Sequence, residues 1–255
     1  MDSWLFFLLL TIIGWVSGVL VNYISETIPY TRSFRHPVCE ECGESQGWYE
    51  FLVWPRRCHY CGAQRRFSTL LVENFFVILS IFIWFQSSSI WHYALSMVVI
   101  IYIGSVTLID IKHKLILHET SIFGMVIATY AGYSTFGLKL SVIGGLAGFG
   151  IMLFFYFASR GVGRLLESWQ DAISNEPPLG FGDVTFTGIL GLMLGWPGIM
   201  FALFVSAYAG FFLGIIYLLA LARRGKEKKK GQLILPLVPF LAFGSAIAFM
   251  LMKPI

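Results

Sequence analysis

The stretch PPLGFGDVTFTGILGLMLGWPG, residues 177–198, holds a single ionisable group, Asp183, and the next charge along the chain is Arg223. Apolar runs of about 20 residues read as membrane spans. The uncharged segment after Asp183 is therefore read as two of them, 184–194 and 199–221. A charged side chain at the bilayer centre costs about 2.5–3.5 kcal/mol on insertion scales, so an aspartate at the edge of such a run is a functional candidate by default. Gly180 and Gly182 flank Phe181 ahead of it. They are expected to allow backbone conformations closed to other residues and to leave room beside the carboxylate.

Composition supports the membrane reading. Hydrophobic residues make up 57% of 255, charged residues only 13%, and the mean hydropathy is +0.75, whereas an ordinary globular domain carries roughly 25% charged residues. Further apolar runs lie at 4–24, 69–85, 91–109, 121–133, 140–159 and 233–252. The expected fold is an all-α polytopic membrane protein of about eight transmembrane helices, the run at 184–194 being short. The N-terminal run lacks a basic n-region and a small-residue cleavage site, and is read as a retained first span. Of 18 lysines and arginines, 16 fall in the connectors after spans one, three, five and seven. The positive-inside rule puts these connectors in the cytoplasm and both termini outside. The segment RRGKEKKKG, residues 223–231, is read as a topology anchor on anionic headgroups.

Three segments are expected: a first transmembrane helix at 1–28, a cytoplasmic loop at 29–68 and a transmembrane core at 69–255. The loop contains Cys39, Cys42, Cys58 and Cys61 in the pattern C-x2-C-x15-C-x2-C, within the range of a structural zinc site. Each pair would sit on a tight turn, and four thiolates complete a tetrahedron around the ion. Disulfides are disfavoured by a reducing cytosol. With few apolar residues of its own, the loop needs such a staple. The pairs Gly144/Gly148, Gly191/Gly195 and Gly210/Gly214 are G-x-x-x-G spacings that suit close helix packing. No phosphate loop, dinucleotide fingerprint, nucleophile elbow or internal repeat is evident, and no nucleic-acid partner is expected.

The partner expected for Asp183 is Asp110, in GSVTLIDIKHKLILHETS at the end of the third span. Both lie at the cytoplasmic ends of their spans and so at one membrane depth. Two carboxylates that meet cannot both ionise and share a proton. One then activates water as general base while the other, protonated, hydrogen-bonds the scissile carbonyl. The alternatives are a helix-capping role for Asp183 and a lysine partner, Lys112 or Lys114, for Asp110.

LGFGDVTFTGILGLMLGWPG resembles the glycine-x-glycine-aspartate motif of the type IV prepilin peptidases, the leader peptidase/N-methyltransferase family of intramembrane aspartyl proteases. TLIDIKHKLILHETSIFG resembles that family's other aspartate segment, and the cysteine loop resembles its bifunctional members. The resemblance implies that Asp110 and Asp183 are the catalytic pair, supported by Gly180 and Gly182, and that Cys39, Cys42, Cys58 and Cys61 hold structural Zn2+. It implies cleavage of the basic leader of prepilins and pseudopilins on the cytoplasmic side of a bacterial inner membrane. It also implies N-methylation of the new terminus with S-adenosyl-L-methionine as donor, and Glu73 matches a glutamate common in bifunctional members. The chain departs from the pattern at Thr27 for arginine, at Leu117 and His118 for proline and aspartate, and at Val238 for glycine. Two other readings remain at this point: an intramembrane protease with a different client and no methyl transfer, or a proton-coupled transporter using the same aspartates. Glu40, Glu41, Glu44 and Glu50 of the loop are read as a place for the basic leader to dock, the alternative being ordinary solvated residues.

Overall fold

The computed structural model describes residues 3–53, 55–167, 180–223 and 237–251. Pro177, Pro178, Pro236 and residues 224–231 of the expected anchor lie outside them. Among the described residues are seven helices and no strand, the all-α architecture expected. The chain divides into two compact units, Met1–Lys114 and Leu115–Ile255.

The first unit contains α1 (Ser3–Thr31), the short α2 (Trp48–Leu52), α3 (Ser68–Gln86) and α4 (Ile90–His113). Helix α1 packs on both α3 and α4. The approach to α3 is close because α1 presents glycine: a Cβ added at Gly14 would lie 2.6 Å from Val77 Cα, and one at Gly18 would lie 2.6 Å from Glu73 Cα. This G-x-x-x-G pair does the packing that the sequence reading assigned only to later spans. Toward the other end of α1, Leu10, Ile83, Tyr93 and Met97 form a buried cluster. There Ser80 donates to the Leu10 carbonyl at 2.9 Å and shares a 2.7 Å hydrogen bond with the Tyr93 hydroxyl. Ser89 caps α4 by accepting from the His92 amide, and the helix ends in a left-handed residue, Lys114 (φ 53°), whose amide donates to the Asp110 carbonyl at 2.8 Å.

The second unit contains α5 (His118–Glu167), α6 (Phe181–Arg223) and α7 (Val238–Leu251). Both long helices are broken. In α5 the break is Gly137 (φ 78°, ψ 160°), and in α6 it is Gly195 (φ 61°) with Trp196. The breaks reverse the chain. Positions 132 and 141 would be about 13.5 Å apart along one straight helix, yet a Cβ at Gly132 would collide with Ser141 Oγ. Likewise, a Cβ at Gly148 would meet both Thr187 O at 2.8 Å and Ile199 Cγ1 at 3.0 Å, two positions about 18 Å apart on a continuous helix. Each long helix is thus a hairpin of two arms, matching the separation of the fourth from the fifth apolar run and of the sixth from the seventh.

Small residues join the two hairpins. A Cβ at Gly144 would lie 2.5 Å from the Gly191 carbonyl, and Ser141 Oγ donates to the Leu192 carbonyl at 2.7 Å. The packing role expected of Gly144, Gly148 and Gly191 is therefore met. Among the described residues Gly210 and Gly214 make no such approach, the nearest atom being Phe240 Cγ at 4.0 Å from a Cβ at Gly210. Five helices, α1, α3, α4, α5 and α6, are long and apolar enough to cross a membrane, while the apolar segment of α7, Val238–Phe249, is shorter.

Candidate active site and metal centre

The four cysteines come together. Their sulfur atoms all lie within 4.8 Å of one another, with Cys39 Sγ 3.7 Å from Cys61 Sγ and Cys42 Sγ 3.8 Å from Cys58 Sγ. A tetrahedron with metal–sulfur bonds of about 2.3 Å requires sulfur separations of about 3.8 Å. The donor set therefore fits one divalent ion, and the distances exclude disulfides, whose S–S bond is about 2.05 Å.

Two like turns build the centre. The Cys39 amide donates to the Glu44 carbonyl and the Gly43 amide to the Cys39 carbonyl, each at 2.9 Å. The Cys58 amide to the Ala63 carbonyl and the Gly62 amide to the Cys58 carbonyl repeat the pattern at 2.9 Å. Gly43 (φ 75°) and Gly62 (φ 70°) occupy the same left-handed position, which glycine takes without steric cost. Bridges Val38–Ser45 and Arg57–Gln64 close the two turns. The loop is thus an internal duplication that the sequence reading missed. Its signal was C-x-x-C-G at 39–43, recurring at 58–62.

Burial, backbone amides and neighbouring thiols act unequally on Cys42 and Cys58. The Glu44 amide favours a thiolate at Cys42, but desolvation and the sulfurs of Cys61, Cys39 and Cys58 push its thiol up to about 12. Burial opposes ionisation of Cys58, but the Cys61 and Tyr60 amides and the Gln46 side chain bring it down to about 6. Four thiolates at this spacing repel one another, and a cation removes the conflict.

Beneath the turns lie two sets of charge pairs that the sequence reading did not find. Arg56 donates to both oxygens of Glu73, at 2.7 and 2.9 Å. Glu73 also accepts from Trp15 Nε1 at 3.1 Å and Asn22 Nδ2 at 3.4 Å. Glu26 accepts from Arg65 at 2.6 Å and from Lys112 at 3.0 Å, and Lys112 reaches Glu40 at 2.6 Å. Both glutamates are almost fully enclosed, with 4% and 5% of their side chains exposed. In sequence, Arg56 and Arg65 looked like ordinary solvated charges of a polar loop.

Asp110 occupies the last turn of α4 and is 6% exposed. The same turn is fastened to α1 by Lys112 on Glu26 and by His113, whose Nε2 lies 3.3 Å from the Ser25 carbonyl. Lys112 thus pairs with both Glu26 and Glu40. Asp183 occupies the first turn of α6 and is half-buried. Its Oδ2 accepts from the Gly180 amide and its own amide donates to the Gly180 carbonyl, both at 3.2 Å. The capping arrangement weighed from sequence is thus present, and it holds the carboxylate at the helix entrance.

Gly180 and Gly182 are not among the residues with positive φ, so conformational freedom is not their use here. Gly182 is small because Ile116 is close: a Cβ there would lie 2.7 Å from Ile116 Cβ. Of the loop glutamates offered for a basic leader, Glu40 is engaged by Lys112, while Glu41 and Glu44 are exposed.

Comparison with known proteins bears on the aspartates. Residues 97–215 match the model of the type IV leader peptidase family, a segment that includes both Asp110 and Asp183. The chain is 25% identical over 241 residues to the prepilin leader peptidase/N-methyltransferase of Myxococcus xanthus (strain DK1622), an alignment covering 89% of this chain and 68% of that one. No solved structure matches.

Proposed function

We propose that this chain, a member of the type IV prepilin peptidase family through residues 97–215, is an aspartyl endopeptidase. In this reading it removes the basic leader of prepilins and pseudopilins at the cytoplasmic face of a bacterial inner membrane. The observation that carries it is that the family match spans two carboxylates, Asp110 and Asp183, each held at a helix end by its own unit. Ile116, six residues beyond Asp110, is the residue that packs against Gly182, beside Asp183.

The roles of the pair follow from the helix ends. Asp183 lies in the first turn of α6, where exposed amides favour a negative charge; Asp110 lies in the last turn of α4, where carbonyls disfavour one. The shared proton is therefore assigned to Asp110, which donates to the scissile carbonyl. Asp183 takes a proton from the attacking water. The tetrahedral intermediate collapses as that proton passes to the leaving amine. No covalent intermediate forms on either residue.

Cys39, Cys42, Cys58 and Cys61 would hold Zn2+ as a structural ion, since all four positions of a tetrahedron are filled by sulfur and none remains for substrate. The relative's name and the sequence resemblance support N-methylation of the new terminus as a second activity, with S-adenosyl-L-methionine supplying the methyl group. Glu73 was the candidate residue for that step. Both of its oxygens are committed to Arg56, so we assign it to anchoring the loop on α1 and α3, and derive no proton transfer through it.

The test is the intact mass of a leader-bearing prepilin after incubation with the purified protein and S-adenosyl-L-methionine. Loss of the leader, and its absence with Asp110→Asn and Asp183→Asn, is the expected result. Cleavage that survives either substitution sinks the paired-aspartate reading. A product lacking the extra methyl group sinks the second activity alone.

A further inference from the structure

We infer that Lys112 is a positioning residue that couples the four-cysteine centre to Asp110. This inference rests on the peptidase reading above. Glu40 lies inside the first cysteine turn, between Cys39 and Cys42, and pairs with Lys112 at 2.6 Å. Lys112 pairs with Glu26 of α1 at 3.0 Å, and Glu26 pairs with Arg65 at 2.6 Å. Arg65 follows the second cysteine turn and closes its backbone by donating its amide to the Arg56 carbonyl at 3.1 Å.

The chain of ion pairs therefore starts in one turn and ends in the other. The sulfur contacts Cys39–Cys61 and Cys42–Cys58 join the same two turns. A cation among the sulfurs closes the ring, and Lys112 is the member of the ring that belongs to α4, two residues from Asp110. When the turns separate, Glu40 leaves with the first of them. Lys112 is then left sharing Glu26 with Arg65, and the last turn of α4 loses its tie to the loop. His113 on the Ser25 carbonyl keeps the helix on α1, so the effect is a shift of Asp110 and not an unfolding.

The experiment uses the full-length protein in detergent: native, Lys112→Met, Glu40→Gln and Lys112→Arg, each with zinc and after chelation. It reads zinc content, kcat and KM on a leader-bearing prepilin, and amide exchange across residues 105–114. Exchange across residues 93–100 reports that the bundle is intact. Chelation of the native protein is expected to lower kcat about tenfold, within the usual range of coupling between sites, while KM stays within about twofold and exchange at 105–114 rises. Lys112→Met and Glu40→Gln are expected to show both changes with zinc still bound, and chelation adds nothing further to either. Lys112→Arg restores native values.

The inference is overturned if Lys112→Met keeps native kcat and exchange, or if chelation lowers kcat of Lys112→Met as much as that of the native chain. Loss of zinc from both Lys112→Met and Glu40→Gln overturns it as well, because the pair would then hold the loop and not the helix. The exchange readout does not depend on activity and can be repeated in Asp110→Asn. Persistence of cleavage in Asp110→Asn condemns the peptidase reading without touching the exchange result.

Discussion

Asp183 and Asp110 are both acids at helix ends, but opposite ends. The first closes a cap with Gly180 at 3.2 Å, and the second is buried in the last turn of α4 at 6% exposure. General acid–base groups contribute typically about 10²–10⁴-fold to rate. Asp183→Asn and Asp110→Asn should each lower leader cleavage at least about 10²-fold, read as the initial rate of mass loss. Both variants should still methylate a substrate already cleaved. At Glu73 the question is stability. Removing one partner of a buried ion pair costs about 3–5 kcal/mol, and replacing both by apolar groups of similar size is far milder. Arg56→Met should therefore lower the detergent melting temperature markedly, and Arg56→Met with Glu73→Leu should recover most of it. Equal melting of single and double variants would show that Glu73 draws its support from Trp15 and Asn22 instead. The glutamate was legible in sequence as unusual; its partner was not, because Arg56 lies seventeen residues away across a loop.

Among the elements, α1 depends on Gly18, whose hydrogen faces the Glu73 backbone. A side chain there forces α1 and α3 apart, and overpacking costs typically about 1–3 kcal/mol. Gly18→Leu should destabilise by at least that much and loosen the Arg56–Glu73 anchor, whereas Gly214→Leu, where a Cβ meets no described atom within 4 Å, should be nearly neutral. Thermal unfolding of the two variants in one detergent checks the contrast. The two cysteine turns make a different demand. A raised thiol such as Cys39 or Cys42 must lose its proton to bind an ion, whereas Cys58, brought down to about 6, is already largely ionised at neutral pH. Metal binding therefore releases protons, and affinity should rise with pH from 6.5 to 8. Competition against a chromogenic chelator at the two pH values measures it, and an affinity independent of pH would rule out binding through these thiols. The pairing of turns was readable from spacing and their duplication from the recurring C-x-x-C-G, but their equal hydrogen bonding emerged only once Gly43 and Gly62 were seen at matching φ.

At the scale of the molecule, charge sidedness was expected from sequence, and the first unit brings charges of separate segments together. Lys112, in the last turn of α4, touches Glu26 of α1 and Glu40 of the loop that follows α1. A reporter that folds only outside the cytoplasm should be active when fused after residue 255 and inactive after residue 226. The opposite pattern would invert the proposed topology. Membrane class, the apolar runs, the cysteine quartet and the two aspartates were determined by the sequence alone, because composition and local spacing carry them. Tertiary structure decided three other things. Two long helices double back at Gly137 and Gly195, Gly180 and Gly182 serve space and capping rather than unusual φ, and distant charges meet as the buried pair Arg56–Glu73 and as the chain Arg65–Glu26–Lys112–Glu40. Each of these depends on which distant residues meet in space. A charge read along a chain looks solvated until folding removes its water and supplies a partner.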